Sequence, residues 1–409
     1  MRILLVADGR SPTTRRWVRA LLSMGYEIIL VTTFPCAPIE GIEADVTLPV
    51  AFSALGGSAS GSAAGAPSPA RGLVKRARPL LMAARYWLGP LTLHYYGPRL
   101  RWLVERIQPD VVHALRIPFE GMLAAYTPQP FPLVVSIWGN DLTLHADGSR
   151  RMAALTRRTL RRADALFADA HRDVRLARAW GLSPDHPAVV VPGNGGLELD
   201  EIAAVKQRVL MGERPFADLF PPERPLVINP RGFRTGSVRN DTFFAAIPLV
   251  LERRPGVRFA CPAMAGQPEA ASWVERLGLQ GKVHLLSHLP QDQLWALFAR
   301  ADLTVSVSQH DGTPNTLLEA MAIGTFPIAG DIESLREWIT PGVNGLLVEP
   351  DKPQALAEAI LLALDRPDLR RGAAVKNAAL VARRADAVQV REEIHLLYEA
   401  LAAGKEIPV

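Results

Sequence analysis

The segment SQHDGTPNTLLEAMAIGTFPIAGDIESLREWITPGVNGLLVE, residues 308–349, sets a carboxylate, a Gly/Pro turn, a helix start and a second carboxylate within a few positions. Asp311 and Glu319 are eight residues apart. Gly312-Thr313-Pro314 turns the chain between them, and an apolar helical run (Leu317, Leu318, Ala320, Met321, Ala322) begins near Asn315. The first turn of a helix leaves N–H donors unpaired and carries the positive end of the macrodipole, so the amides of Asn315, Thr316 and Leu317 suit a diphosphate. Glu319 then lies one turn deeper on the same face. Together these features describe a site for a phosphorylated leaving group.

Outward from this segment, strand and helix patterns alternate along the whole chain, which predicts two parallel α/β layers. Strands are expected near residues 3–7, 27–32, 111–114, 133–138, 165–168 and 188–191, and again near 226–229, 258–260, 283–286, 303–307, 325–328 and 345–348. At 409 residues the chain suits two domains. The expected division is a first domain over 1–211, a Pro-rich connection over 212–225, a second domain over 226–384 and a C-terminal helix and tail over 385–409. Residues 52–72, FSALGGSASGSAAGAPSPARG, read as a low-complexity insert.

The segment around Asp311 resembles the donor signature of the retaining family 4 glycosyltransferases (glycosyl transferases group 1), where two glutamates flank seven residues ahead of an "LEAMA" helix. The match continues through NGLLVEPDKPQALAEAI, and weaker likeness runs along most of the chain. The resemblance implies the GT-B architecture: two Rossmann-like α/β domains facing across a cleft, with a C-terminal helix returning toward the first. It implies that Asp311, standing for the first glutamate and one methylene shorter, contacts donor-sugar hydroxyls. By the same likeness Gly312, Asn315, Thr316 and Leu317 surround the phosphates, and Glu319 accepts from the ribose.

In LVINPRGFRTGSVRND, residues 226–241, Arg231 follows a strand and matches the family's diphosphate-clamping arginine. The lysine expected five residues later is Gly236 here, which leaves Arg234 or Arg239 to replace it, with Arg239 favoured. A guanidinium suits a phosphate because its forked donors bind bidentately and stay protonated. In the first domain, GRSPTTRRW, residues 9–17, resembles the family's "SPHTRRW" segment and nominates Gly9, Ser11, Thr14 and Arg15 for the cleft. VVSIWGNDL, residues 134–142, carries Trp138 where many relatives have a histidine, so Asp141 becomes the remaining acidic candidate for a catalytic role, against the alternative of a turn cap. Asp311, Arg231 and Asp141 form the expected catalytic set.

Composition bounds the alternatives. Hydrophobic content of 48% and charge of 21% fit a globular enzyme, and Cys36 and Cys261 offer no disulfide framework. No G-x-G-x-x-G follows the first strand, which argues against a nicotinamide enzyme. No D-x-D triplet or Cys/His cluster suggests a metal, so no cofactor is expected beyond the nucleotide-diphosphate sugar used as donor substrate. The MRILLVADG start reads as a buried strand rather than a signal peptide, and no run of 18 apolar residues occurs, so a cytoplasmic protein is expected.

Residues 73–108 mix Lys75, Arg76, Arg78, Arg85, Arg99 and Arg101 with Tyr86, Trp87, Tyr95, Tyr96 and Trp102, a basic and aromatic pattern that fits contact with the inner face of a membrane. Nucleic acid is not an expected partner, since no binding module accompanies the basic residues. The expectation is a metal-independent retaining transferase acting on a surface-glycan or lipid-linked acceptor. A non-catalytic nucleotide-sugar-binding homologue and a GT-B epimerase are the alternatives.

Overall fold

The computed structural model describes residues 1–53, 85–234 and 236–404. It divides into two compact units: one comprises Met1–Gly195 with the chain from Arg391 on, the other Gly196–Val390. The proposed insert beyond residue 53, and residues 73–84 of the basic aromatic stretch, lie outside the described residues.

The first unit is built on a seven-stranded parallel sheet with order β3-β2-β1-β4-β5-β6-β7. Its strands are β1 (Arg2–Ala7), β2 (Glu27–Thr32), β3 (Ala44–Thr47), β4 (Val111–Ala114), β5 (Leu133–Ile137), β6 (Ala165–Ala168) and β7 (Ala188–Val190). The inner strands are apolar runs buried on both faces, which is why they are legible in the sequence. β3 was not expected. It is an edge strand, ADVT, mostly exposed and carrying Asp45, so it lacks the apolar signature of its neighbours.

The second sheet has six parallel strands in the order β10-β9-β8-β11-β12-β13. They are β8 (Leu226–Ile228), β9 (Arg258–Cys261), β10 (Val283–Leu285), β11 (Leu303–Ser306), β12 (Phe326–Gly330) and β13 (Leu346–Val348). Leu226 and Ile228 enter one apolar cluster and Val227 the other, the period-two alternation of a strand covered on both faces. The order reverses between β8 and β11, and ligands of open parallel sheets bind beyond the strand ends at such a reversal.

Two expected boundaries move. The helix Leu199–Leu210 belongs to the second unit, where Ile202, Val205 and Val209 join an apolar cluster with Trp295 and Met321. The segment expected as a linker, 212–225, is packed rather than free. Phe220 is buried in that cluster, and Arg300 Nη2 donates to the carbonyls of Pro221 and Arg224 at 2.6 and 2.7 Å.

The last helix, Ala387–Ala402, follows a break at Asp386 (φ −62°, ψ 129°) that ends the helix Pro367–Ala385. From Arg391 on it packs into the first unit, where Tyr398 is fully buried and its hydroxyl lies 2.6 Å from His113 Nδ1. His113 Nε2 meets Ser136 Oγ at 2.8 Å, and Trp17 packs edge-on against the imidazole at 5.2 Å between ring centres. Both ring nitrogens are thereby used by the neutral imidazole, and burial pushes His113 from 6.5 down to about 3. Because the folded value lies below the unfolded one, this contribution to stability is complete above pH 6.5 and is lost as pH falls toward 3. Between pH 7.5 and 5.5 the loss is about 1.4 kcal/mol for one such group. Urea unfolding at the two pH values reads it: His113→Gln should lose less by about that amount, and an equal loss in variant and wild type contradicts the assignment.

Candidate donor site and first-unit polar cluster

Arg231 and Asp311 follow β8 and β11, the two strands at the reversal of the second sheet. Arg231 is buried, its Nη2 donates to Asp311 Oδ2, and its Nη1 reaches Thr316 Oγ1 at 3.5 Å. Its Nε is buried without a hydrogen-bond partner. Two residues far along the chain from Arg231, Asp311 and Thr316, are thus brought to its guanidinium, 80 and 85 positions away.

Asp311 is held from several sides. Ser308 Oγ donates to its Oδ2 at 3.0 Å, the Gly312 N–H faces its Oδ1 at 3.2 Å, and Ser334 Oγ donates to its carbonyl at 2.8 Å. The turn behind it is anchored by Trp338 Nε1 donating to Thr313 Oγ1 at 3.1 Å.

The helix Asn315–Ile323 starts after Pro314, whose extended ψ of 127° cannot continue a helix, and ends at Gly324 in the left-handed region (φ 102°). No side chain caps its N-terminus. The Leu317 N–H, expected to face a phosphate, already donates to the Pro314 carbonyl at 2.9 Å, because it closes the first turn. The Thr316 N–H makes no backbone hydrogen bond. Asn315 heads the same turn. Glu319 is only 2% exposed, which removes the reading of it as a solvated helix charge.

The loop after β8 is stitched to the end of β11: the Arg239 N–H donates to the Val307 carbonyl at 2.8 Å, and the Gln309 N–H to the Ser237 carbonyl at 2.7 Å. Asn229 and Asn240, both buried, brace its base through an amide contact of 3.1 Å. This stitching corrects the preference among the arginines. The Arg239 side chain is spent on its neighbour Asp241, with contacts of 2.8 to 3.2 Å. Arg234 is the one brought beside the centre. Its guanidinium is pulled down to about 10, chiefly by the positive charge of Arg231 and then by burial, against the pull of Asp311.

In the first unit, Gly9 is required by a close approach: a Cβ there would lie 2.5 Å from Cys36 Sγ, and the Gly9 N–H donates to Thr32 Oγ1 at 3.0 Å. Ser11 precedes the helix Pro12–Ser23 without capping it through its side chain. Thr14 is fully buried, and its hydroxyl makes no hydrogen bond. Arg15 donates to the Ala37 carbonyl at 3.1 Å, a local tie rather than a free guanidinium.

Asp141 is fully buried and accepts from Arg116 Nη2 at 3.0 Å and from the N–H groups of Ile117 and Trp138 at 3.0 and 3.3 Å. Burial pushes its carboxyl upward, opposed by Arg116 and the two amides. Facing inward on three donors, it is a clamp for the turns after β4 and β5. The catalytic assignment gives way to the turn-cap alternative. Among the described residues no group of three or more His, Cys, Asp and Glu side chains comes together as a metal site.

Comparison with known proteins finds matches in both units. The model of the family "Glycosyl transferases group 1" matches residues 242–379, and that of the "Glycosyl transferase 4-like domain" matches residues 8–194. The chain belongs to the group 1 glycosyltransferases. Among curated relatives of this glycosyltransferase, a D-inositol 3-phosphate glycosyltransferase of Streptomyces scabiei is 27% identical over 72% of the chain and 62% of the relative. A GDP-mannose:cellobiosyl-diphosphopolyprenol alpha-mannosyltransferase of Xanthomonas campestris is 38% identical over 20% of the chain and 22% of the relative. The chain thus spans less than two thirds of the length of either.

Among solved structures, sucrose-phosphate synthase from Thermosynechococcus elongatus superposes with a TM-score of 0.72 at 17% identity, covering 99% of this chain and 100% of that one. The Anabaena protein HepE, solved in complex with UDP-glucose, gives a TM-score of 0.65 at 17% identity over 98% of this chain and 100% of that one. The fold of this glycosyltransferase is GT-B.

Sequence reasoning missed Asn229, Ser308, Ser334 and Gly330 around its donor-side cluster. Ser308 lay within the deciding segment, three residues before Asp311, the spacing at which a hydroxyl can reach back to a loop carboxylate. Gly330 ends β12 so close to Ser308 that a Cβ there would lie 2.1 Å from the Ser308 carbonyl oxygen. No one-dimensional pattern carries that contact.

Proposed function

We propose that this protein is a retaining, metal-independent glycosyltransferase that moves a hexose-type sugar from a nucleotide-diphosphate donor to a surface-glycan precursor or lipid-linked acceptor. The observation that carries the reading is the convergence of Arg231, Asp311 and Thr316 at the start of the helix Asn315–Ile323, with Arg234 beside them.

Breaking the bond between the anomeric carbon and the diphosphate leaves positive charge on the sugar and negative charge on the departing phosphate. Arg231, with its unpartnered Nε, Arg234 and the Thr316 amide supply fixed donors for that phosphate, where preorganised charge acts most strongly. In a binary complex the phosphate takes over part of the Arg231–Asp311 ion pair and frees Asp311 for sugar hydroxyls. Glu319, one turn in, receives ribose hydroxyls. With attack from the leaving-group face, the departing phosphate itself accepts the acceptor proton. The turnover route therefore needs no side-chain base at Trp138 or Asp141.

Nucleotide-sugar use is supported by the UDP-glucose complex of HepE and by the GDP-mannose named for the Xanthomonas relative. The acceptors named for the two curated relatives, an inositol phosphate and a diphosphopolyprenol-linked sugar, both carry phosphate. Peripheral contact with an anionic membrane is supported by the exposed face around the helix Thr92–Ile107. Trp87, Leu91, Tyr95 and Trp102 are each at least 47% exposed there, beside Arg99 and Arg106. No described helix is long and apolar enough to cross a membrane.

Thermal unfolding with UDP, GDP, ADP and their sugar conjugates tests the donor site. At a hundredfold excess over Kd the cognate nucleotide adds about 2.7 kcal/mol of stability. That gain should vanish in Arg231→Ala and Glu319→Ala and persist with membrane vesicles present. Absence of any shift with every nucleotide contradicts the donor assignment.

A further inference from the structure

Pro314, the last residue before the helix Asn315–Ile323, has no N–H to give, and no side chain caps that helix. The turn from Asp311 to Thr313 is braced from another part of the chain, the segment that follows β12. Two of its side chains donate to the turn on either side of Gly312: Ser334 Oγ to the Asp311 carbonyl at 2.8 Å, and Trp338 Nε1 to Thr313 Oγ1 at 3.1 Å. An indole nitrogen donates and cannot accept, so a Trp that is only 2% exposed requires an acceptor at one spot, and the equally buried Thr313 supplies it.

The rest of Trp338 is held as firmly. The Arg384 guanidinium carbon lies 4.1 Å from the centre of its ring, and Arg384 Nη1 donates to the neighbouring Glu337 carbonyl at 2.6 Å. The Trp338 carbonyl accepts from Asn344 Nδ2 at 2.9 Å. Asn344 Nδ2 also donates to Asn377 Oδ1 at 2.9 Å, and Asn377 Nδ2 donates back to the Asn344 carbonyl at 2.8 Å. Asn377 is fully buried in the helix Pro367–Ala385. Buried contacts thus run from that helix through Asn344 and Trp338 to Thr313, which stands between Asp311 and Thr316. Trp338 has no surface to offer a substrate, so its influence on the reaction passes through Thr313.

We propose that Trp338 is a positioning residue for sugar transfer: its indole N–H, bonded to Thr313, fixes Asp311 and the helix start at the spacing in which Arg231 reaches both Asp311 and Thr316. The proposal rests on the donor-site reading. It also divides that site. Glu319 lies deeper in the helix, beyond the braced turn, so loss of the brace displaces the groups at the sugar and leaves the nucleoside end of the donor held.

The test measures calorimetric binding of UDP, GDP and ADP, and the release of nucleoside diphosphate from their sugar conjugates with membranes as acceptor. The proteins are wild type, Trp338→Phe, Thr313→Val, their double variant, Thr313→Ser and Arg231→Ala. Trp338→Phe keeps an aromatic ring beneath Arg384 and loses the N–H. It should bind the cognate nucleoside diphosphate within about threefold of wild type yet turn over about tenfold more slowly at saturating donor, a fraction of the loss that a full ångström of misplacement brings. Thr313→Val breaks the same bond from the other partner, so the result does not hang on the folding of the Phe variant. The double variant should be no slower than the slower single, since residues sharing one bond do not act additively. Thr313→Ser keeps the acceptor oxygen and should match wild type. Wild-type turnover in Trp338→Phe or Thr313→Val overturns the proposal. Nucleotide affinity that falls in step with the rate also overturns it, as does a double variant whose loss is the product of the two singles. Absence of nucleotide binding in wild type, or binding that Arg231→Ala leaves unchanged, fells the donor reading and this proposal together. Binding that depends on Arg231, with full turnover in Trp338→Phe, fells this proposal alone.

Discussion

Arg231→Ala lowers kcat by roughly 10²–10³-fold, equivalent to about 2.7–4 kcal/mol of transition-state stabilisation, the usual cost of removing one fixed donor from a developing anion. Two features make this residue the sensitive one. It is buried at the strand reversal with an unpartnered Nε, and it ties Asp311 to Thr316 across the helix start. Removal also leaves Asp311 without its guanidinium, so part of the loss comes from a misplaced carboxylate. Arg231→Lys restores charge without the fork and should recover only a fraction of the rate. Arg239→Ala, whose wild-type side chain is bound to Asp241, should change kcat less than threefold. Steady-state kinetics on the three variants check the ranking, and an Arg239→Ala defect as large as that of Arg231→Ala would contradict it.

Gly330→Ala is the second large effect, and it acts without touching a ligand. A Cβ at residue 330 would sit 2.1 Å from the Ser308 carbonyl oxygen and 3.0 Å from its nitrogen, both backbone atoms, so no side-chain rotation relieves the clash. β11 and β12 pair alongside, with Ser306 opposite Ala329, and Ser308 in turn holds Asp311. Forced accommodation of one extra carbon in a packed region costs about 1–3 kcal/mol of stability. Displacing Ser308 by an ångström or so carries Asp311 with it, and a misplacement of that size costs on the order of 10²-fold in rate. Gly372→Ala, where a Cβ meets nothing within 4 Å, is the control and should behave as wild type. Kinetics and denaturant unfolding of the pair separate local displacement from general damage; full activity in Gly330→Ala would show that Ser308 does not position Asp311.

The sequence carried the interior of both sheets because strands covered on two faces are unbroken apolar runs, as in Leu226–Ile228 and Leu133–Ile137. It missed β3 because an edge strand need not be apolar. The division between units was misplaced for a different reason. The apolar stripe of Leu199–Leu210 says that the helix packs, but not which sheet receives it, and the prolines of 212–225 looked like a tether although Phe220 is buried.

The placing of Arg231 and Asp311 after strand ends and of Glu319 in the following helix was legible, because motif spacing ties them to those elements. The choice between Arg234 and Arg239 depended on a loop path set by the Val307 and Ser237 carbonyls. One local clue existed, since Asp241 lies two residues from Arg239 and is placed to capture it. Asp141 was misread because an acidic residue in a turn serves equally as base or clamp until its donors are seen.

The central claim is sugar transfer from a nucleotide donor bound at Arg231, Asp311 and Glu319. Its most direct test supplies radiolabelled sugar nucleotides, of the base selected by thermal shift, with membranes as acceptor, and follows both nucleoside diphosphate release and label in the glycolipid or glycan fraction. Wild type should release diphosphate and transfer label in equal amounts, and Arg231→Ala and Glu319→Ala should do neither at a comparable rate. A wild-type protein that binds the nucleotide sugar and returns it intact would contradict the account and identify the chain as a binding homologue.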